Sequence, residues 1–169
     1  QNYVAAWNSK GNALRNLERF EEAIQAYDWA LAIDQNDAIT WYNKGRALYD
    51  LKRYEEAIQA CDRALAIDED NAAAWNNKGR ALLDLKRYKE AIQASDRALA
   101  IDQNDSAPWN NKGNALRDLK CYAEAIQAYD RALAIDQNNV FAWHCKGLAL
   151  HSLKRFEEAI QAFDRALAI

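Results

Sequence analysis

The chain has 169 residues, of which 50% are hydrophobic and 28% are charged, and its formal net charge is −3 at pH 7. This mildly negative balance argues against a general nucleic-acid or anionic-membrane surface, so neither is expected as a partner. The three cysteines are unevenly spaced, and the sequence contains no signal peptide and no apolar run of membrane length. We therefore expect a reducing, cytoplasmic location.

A tryptophan followed four residues later by a glycine recurs every 34 residues. The pairs are Trp7/Gly11, Trp41/Gly45, Trp75/Gly79, Trp109/Gly113 and Trp143/Gly147. A fixed period of this length is the signature of a repeat architecture. We predict a single array over residues 1–169, with repeats at 4–37, 38–71, 72–105, 106–139 and 140–169. We interpret it as a segment of a longer array or a consensus-like design, and the sequence does not distinguish a natural from a designed origin.

The first element of each repeat is predicted to be a helix. In the third repeat, Trp75, Gly79 and Leu82 stand at i, i+4 and i+7, which places them on one helical stripe. Each later first helix is preceded by a residue type that favours the N-cap position. These residues are Asp37, Asn71, Asp105 and Asn139.

The second element of each repeat is also predicted to be a helix. Tyr88, Ile92 and Leu99 mark its apolar stripe in the third repeat, and only Lys86 and Arg87 separate the two elements. A link this short requires two neighbouring antiparallel helices. One such hairpin cannot bury its own apolar face, so we expect the copies to stack.

A glycine inside every first helix costs about 0.5–1 kcal/mol relative to alanine. We expect close approach of the partner helix to compensate for this cost. Cys61 and Ser95 stand where the other repeats have Tyr27, Tyr129 and Phe163. The middle repeats are therefore expected to have a looser interior, or one that neighbouring side chains fill.

This pattern resembles the tetratricopeptide repeat (TPR) family over essentially the whole chain. In the first repeat the matching residues are Trp7, Gly11, Leu14, Phe20, Ala23, Tyr27 and Ala30. The resemblance implies an all-α fold, a right-handed superhelical solenoid of antiparallel helix pairs. It also implies that the first helices line a concave groove, which in this family usually binds extended or helical peptide segments.

The chain departs from the family at the end of the second helix, where a proline is usual. Here the site carries Gln35, Glu69, Gln103 and Gln137. We therefore hypothesise that a second helix runs on into the next first helix, or swaps between chains. A further hypothesis is self-association through uncapped ends.

Positions that differ between the copies form a stripe on the first helices, at i, i+4 and i+7. The candidate ligand-binding residues are Asn8, Asn12, Arg15, Tyr42, Arg46, Tyr49, Asn76, Arg80, Asn110, Asn114, Arg117 and His144. Asparagine offers a donor and an acceptor to a peptide backbone, and arginine binds carboxylates bidentately. We predict a protein or peptide partner, and hypothesise an acidic peptide bound by Arg15, Arg46, Arg80 and Arg117. In the alternative interpretation, the arginines simply pair with Asp50, Asp84 and Asp118 on the surface.

Catalytic motifs are lacking in the sequence. His144 and His151 are seven residues apart, roughly 10.5 Å along a helix axis, which is too far for one metal ion. Cys145 is adjacent to His144 and points elsewhere, and no Cys-x-x-Cys or glycine-rich phosphate loop occurs. We therefore predict no enzyme activity, no cofactor and no metal.

The predicted function is a protein–protein interaction scaffold that binds a partner peptide in its groove. The alternative is a structural spacer or self-associating module of a larger protein whose activity lies outside this segment.

Overall fold

The structure, a computed structural model, describes residues 2–169. These residues form ten α-helices and no β-strand, which confirms the predicted all-α class. The helices are α1 (Asn2–Asn16), α2 (Phe20–Ile33), α3 (Ala38–Asp50), α4 (Tyr54–Ile67), α5 (Ala72–Asp84), α6 (Tyr88–Ile101), α7 (Ser106–Asp118), α8 (Tyr122–Ile135), α9 (Val140–Ser152) and α10 (Phe156–Leu167). In this described part, no helix has both the length and the apolar character needed to cross a bilayer.

The chain divides into two compact units, Gln1–Leu85 and Lys86–Ile169. In the first unit, α1 packs on α2 and α3 on α4 as hairpins, while α2 packs on α3 and α4 on α5. In the second unit, α7 pairs with α8 and α9 with α10, while α6 packs on α7 and α8 on α9. Each unit is therefore a stack of antiparallel helix pairs, as the solenoid prediction requires.

The links between repeats are fixed by side-chain caps. Asp37 accepts a hydrogen bond from the backbone N–H of Ile39, and Asn71 accepts one from the backbone N–H of Ala74. All four predicted N-caps, at Asp37, Asn71, Asp105 and Asn139, are confirmed. The backbone at Asp34 is extended (φ −138°, ψ 102°) and ends α2. Extended aspartates also end the second helices of the next three repeats, at Asp68, Asp102 and Asp136. The hypothesis that a second helix runs on into the next first helix is therefore wrong for the described chain, because these aspartates end the helices without a proline.

The links inside the repeats each contain a residue in the left-handed region, with φ between 58° and 66°. These residues are Glu18, Lys52, Lys86, Lys120 and Lys154. In the second repeat, the N–H of Lys52 donates to the carbonyl of Tyr49 (2.8 Å), and the N–H of Arg53 donates to that of Leu48 (2.9 Å). These bonds satisfy carbonyls at the end of α3, in the manner of a helix C-cap usually built with glycine.

The glycines in the first and fourth repeats lie beneath aromatic rings. A Cβ on Gly11 would lie 2.4 Å from Cε1 of Tyr27, and a Cβ on Gly113 would lie 2.5 Å from Cε1 of Tyr129. The expected close approach is confirmed, and the group that approaches is the aromatic ring of the second helix.

The second repeat fills the same space differently. A Cβ on Gly45 would lie 3.1 Å from Sγ of Cys61 and 3.3 Å from the carbonyl oxygen of Ala57. Cys61 is fully buried, and the amide of Asn77 contacts its sulfur at 3.7 Å. The thiol, the second-helix backbone and a neighbouring amide therefore fill the space left by the missing ring.

A ladder of ion pairs joins the second helix of one repeat to the first helix of the next. The pairs are Lys44–Asp28, Lys78–Asp62, Lys112–Asp96 and Lys146–Asp130, with N–O distances of 2.5–2.6 Å. Each of these lysines also lies over the tryptophan three residues before it, 5.2–5.6 Å from the ring centroid. The constant spacing of the charges could have revealed this ladder from the sequence.

Candidate functional site

The candidate residues, called here the first-helix stripe, lie on α1, α3 and α5 of the first unit and on α7 and α9 of the second. Arg80 and His144 are exposed, Asn110 is buried, and the other nine are half-buried. Within each unit the stripe residues are therefore partly sheltered, and most of their side chains already have neighbours.

Two arginines of the first unit lie over tyrosine rings. Cζ of Arg46 is 5.5 Å from the ring centroid of Tyr42, and Cζ of Arg80 is 4.3 Å from that of Tyr49. Attraction between a cation and the negative face of the ring favours both arrangements. Both tyrosines belong to α3, so both guanidinium groups lie over the same helix.

The other two arginines have carboxylate partners. Nε of Arg15 donates to Oδ2 of Asp50 at 2.7 Å, with both side chains only 20–25% exposed. Arg117 donates from Nε and Nη2 to Oδ1 of Asp118, at 3.1 and 3.0 Å, and from Nη1 to Sγ of Cys145 at 3.5 Å. The surface-pairing alternative therefore describes Arg15 and Arg117.

Two asparagines of the stripe accept hydrogen bonds from buried tyrosines. The hydroxyl of Tyr27 donates to Oδ1 of Asn12, and the hydroxyl of Tyr129 donates to Oδ1 of Asn114, both at 2.8 Å. The amide oxygens are thus engaged with the second helix. Within residues 2–169, their amide N–H groups donate no hydrogen bond.

The asparagines that follow the repeat tryptophans differ between the units. In the first unit, Nδ2 of Asn43 donates to Oδ1 of Asn8 at 3.0 Å. In the second unit, Cys145 stands where the second repeat has Asn43, and the buried Oδ1 of Asn110 has no hydrogen-bond partner among residues 2–169. Asn76 is half-buried on α5. The amide contact between successive repeats therefore does not form at Asn110.

The histidines of α9 pack against rings of α10. The ring centroid of His144 is 5.8 Å from that of Phe163, and that of His151 is 5.3 Å from that of Phe156. Burial raises the pKa of the Cys145 thiol, which disfavours a thiolate nucleophile. Over the described part of the chain, no group of three His, Cys, Asp or Glu side chains is arranged to hold a metal ion.

Burial determines the protonation of two tyrosines at the site. It raises the pKa of Tyr27 to about 12. Burial and the hydrogen bond to Asp84 raise the pKa of Tyr49 to about 12 as well. The Tyr49 hydroxyl donates to Oδ2 of Asp84 at 2.6 Å. Both phenols are therefore neutral hydrogen-bond donors at neutral pH.

Sequence reasoning missed that first-helix and second-helix positions change together between repeats. The combinations are Asn12 with Tyr27, Arg46 with Cys61, Arg80 with Ser95, Asn114 with Tyr129, and Leu148 with Phe163. Asparagine occurs where a tyrosine hydroxyl needs an acceptor, leucine occurs with phenylalanine, and arginine occurs where the residue on the second helix is small. Comparing the five copies position by position would have separated Asn12 and Asn114 from the arginines.

Sequence profiles described as tetratricopeptide repeat match residues 8–72, 48–114, 106–139 and 140–169. The chain belongs to the tetratricopeptide repeat family. No curated protein matches this TPR chain.

Solved structures share the TPR fold over most of their length. A crystal structure of MamA is 26% identical, with a TM-score of 0.85, and the match covers 94% of this chain and 92% of that one. PilF of Pseudomonas aeruginosa is 23% identical, with a TM-score of 0.89 and coverage of 99% and 76%. YrrB, described as a TPR protein with an unusual peptide-binding site, is 23% identical, with a TM-score of 0.77 and coverage of 96% and 84%. The last two matches show the fold alone.

Proposed function

We propose that this TPR chain is a protein-interaction scaffold that binds a partner peptide along the first-helix stripe, centred on α3 and α5, without catalysing a reaction. The observation that carries the proposal is the pair of tyrosine rings on α3, each with an arginine over it. Tyrosine provides contact area at low entropic cost, and a stacked arginine keeps its N–H donors for a ligand.

The rest of the stripe suits a peptide backbone. Asn12 presents amide N–H groups because its oxygen is engaged by Tyr27. Such donors match the carbonyl groups of a segment without secondary structure of its own. The peptide-binding site named for YrrB is consistent with this use of the fold.

The proposed absence of catalysis is supported by the burial of two of the three cysteines. Cys61 is fully buried, and burial raises its pKa to about 12. The thiol of Cys145 is also buried, with its pKa raised. A raised pKa keeps both thiols protonated, so neither is a thiolate nucleophile, and a binding role requires no nucleophile.

The proposal is tested by selecting a random octapeptide library on the purified chain and measuring the affinity of the resynthesised enriched peptides. The diagnostic variant is Tyr42→Ser on the stripe. Its matched control is Trp29→Ser, which removes an aromatic side chain that is 61% exposed on the second helix α2. We expect Tyr42→Ser to weaken binding about tenfold, the effect of losing roughly 1.4 kcal/mol of aromatic contact, and Trp29→Ser to bind like the parent chain.

Two outcomes would contradict the proposal. One is that no peptide is enriched above a selection on an unrelated helical protein. The other is that Trp29→Ser loses affinity while Tyr42→Ser retains it, which would place binding on the second helices. Circular dichroism establishes that both variants are folded.

A further inference from the structure

The arginines of the first-helix stripe are not equivalent. Arg15 and Arg117 are bonded to the carboxylates of Asp50 and Asp118. Arg46 and Arg80 form no ion pair with any carboxylate of residues 2–169, and the neighbours they contact are tyrosine rings. The positive charge that a ligand can neutralise is therefore concentrated on two side chains of the first unit.

Arg46 of α3 and Arg80 of α5 both lie over tyrosine rings of α3. They lie over Tyr42 and Tyr49, which are seven residues apart on α3. At 1.5 Å of rise per residue, the Cα atoms of the two tyrosines are separated by roughly 10.5 Å along the helix axis. The two guanidinium groups are thus held at a spacing that a short peptide can span.

Both arginines offer N–H donors to a carboxylate. A guanidinium has five N–H donors and binds a carboxylate bidentately with two of them, and Cζ of Arg46 and Cζ of Arg80 lie 5.5 and 4.3 Å from the centroid of a tyrosine ring. The Tyr49 ring is itself anchored, because its hydroxyl donates to Asp84 and its centroid lies 5.4 Å from that of Tyr54. The cation over Tyr49 is therefore preorganised, so binding costs less side-chain entropy.

We propose that Arg46 and Arg80 together bind two carboxylates of one extended peptide, carried by Asp or Glu side chains three residues apart. A polyproline II helix rises about 3.1 Å per residue and has three residues per turn, so such side chains lie on one edge about 9.3 Å apart. Adjacent acids are too close to engage both cations. This inference rests on the proposed function and names the class of peptide that the stripe recognises.

The test uses three proline-rich synthetic peptides of equal length. In the first, two aspartates are three residues apart; in the second, they are adjacent; in the third, asparagines replace them at the three-residue spacing. Calorimetry gives the affinity of each peptide for the parent chain, for Arg46→Gln/Arg80→Gln and for the control Lys120→Gln/Lys154→Gln, which changes two exposed lysines in the links inside the repeats, off the stripe. Both double variants remove two positive charges, so a general charge effect would be the same in each.

We expect the parent chain to bind the spaced diacid most tightly. Arg46→Gln/Arg80→Gln should lose about a hundredfold in affinity, roughly tenfold for each charged hydrogen-bonding group removed, and Lys120→Gln/Lys154→Gln should lose less than about threefold. Equal binding of spaced and adjacent aspartates, or equal losses in the two double variants, would overturn the inference. So would failure to bind the spaced diacid by a chain that enriches other library peptides, and in that case the proposed function would still stand.

Discussion

The hydroxyl of Tyr27 donates a hydrogen bond to Oδ1 of Asn12 at 2.8 Å, which ties the second helix of the first repeat to the stripe on its first helix. The same contact joins Tyr129 to Asn114. Residues that the sequence pattern assigns to a ligand thus also hold a buried ring in place. The fifth repeat has Leu148 with Phe163 at the same two positions, so it performs the packing without the hydrogen bond.

This relationship predicts the result of a double-mutant cycle. Tyr27→Phe should lower the free energy of unfolding by about 1 kcal/mol, because it removes a hydrogen bond to a half-buried amide. Asn12→Leu should lower the free energy of unfolding by a similar amount, because it leaves the Tyr27 hydroxyl without its hydrogen-bond acceptor. The double variant should lose less than the sum, since it recreates the fifth-repeat combination. Strictly additive losses in denaturant unfolding would show that the hydroxyl and the amide do not interact.

The intrahelical glycines predict a contrast between repeats. Gly113→Ala should lower the free energy of unfolding by about 1–3 kcal/mol, because the new methyl group would lie 2.5 Å from Cε1 of Tyr129. Gly45→Ala should lower the free energy of unfolding much less. Its new methyl group would lie 3.1 Å from Sγ of Cys61 and 3.3 Å from the carbonyl oxygen of Ala57, and small shifts of these neighbours would accommodate it. The gain in helix propensity offsets part of that cost.

The control for the glycine contrast is Gly113→Ala combined with Tyr129→Cys, which copies the second repeat. In that background the added methyl group should cost little, as measured against Tyr129→Cys alone. An undiminished cost would mean that the ring is not what excludes a side chain at Gly113.

The left-handed links predict a stabilising substitution. Lys52 has φ 62°, a conformation that glycine adopts without a steric cost. Lys52→Gly should raise the free energy of unfolding by about 0.5–1 kcal/mol. The matched control, Gln59→Gly at an exposed position inside α4, should lower it by about 0.5–1 kcal/mol. If both glycines destabilise the chain equally, Lys52 is not left-handed in solution.

The phenol of Tyr49 predicts a dependence on alkaline pH. Burial and the hydrogen bond to Asp84 raise its pKa from 10.0 to about 12. The folded state therefore favours the protonated phenol, and this stabilisation is fully present below pH 10 and is lost as the pH rises through about 12. Asp84→Asn should lower the pKa of Tyr49, because it removes a nearby negative charge, but burial should keep that pKa above its ordinary value.

The Tyr49 prediction is measured by the ultraviolet absorbance of the phenolate, using the difference between each protein and its Tyr49→Phe counterpart. Asp62→Asn, which removes a carboxylate from the Lys–Asp ladder, is the control and should leave Tyr49 unchanged. A Tyr49 pKa that does not respond to Asp84→Asn would contradict the hydrogen bond in solution.

The helices, their caps and the packing of the glycines follow from local pattern and could be predicted from one sequence. Asp37 and Asn71 stand before apolar stripes, and the chemistry of an N-cap requires only a short polar side chain there. The close approach at the glycines could be predicted because a glycine recurs at the same place in all five 34-residue repeats, which indicates the same packing environment in each.

The partners of the stripe arginines could not be predicted from the stripe alone, because they depend on the neighbouring repeat. Arg15 pairs with Asp50 and Tyr49 with Asp84, each 35 residues further along. The residue 35 positions after Arg117 is Ser152, which offers no carboxylate. Arg117 instead bonds to Asp118 and to the sulfur of Cys145, through a rotamer that periodicity does not specify.

Whether a peptide lies on the first-helix stripe is tested most directly by mapping backbone amide chemical shifts with an enriched library peptide. We expect the largest shifts on α3 and α5, around Tyr42, Arg46 and Arg80, and we expect these shifts to saturate with the binding isotherm. Shifts concentrated on the second helices α2 and α4, with α3 and α5 unmoved, would contradict this placement of the peptide.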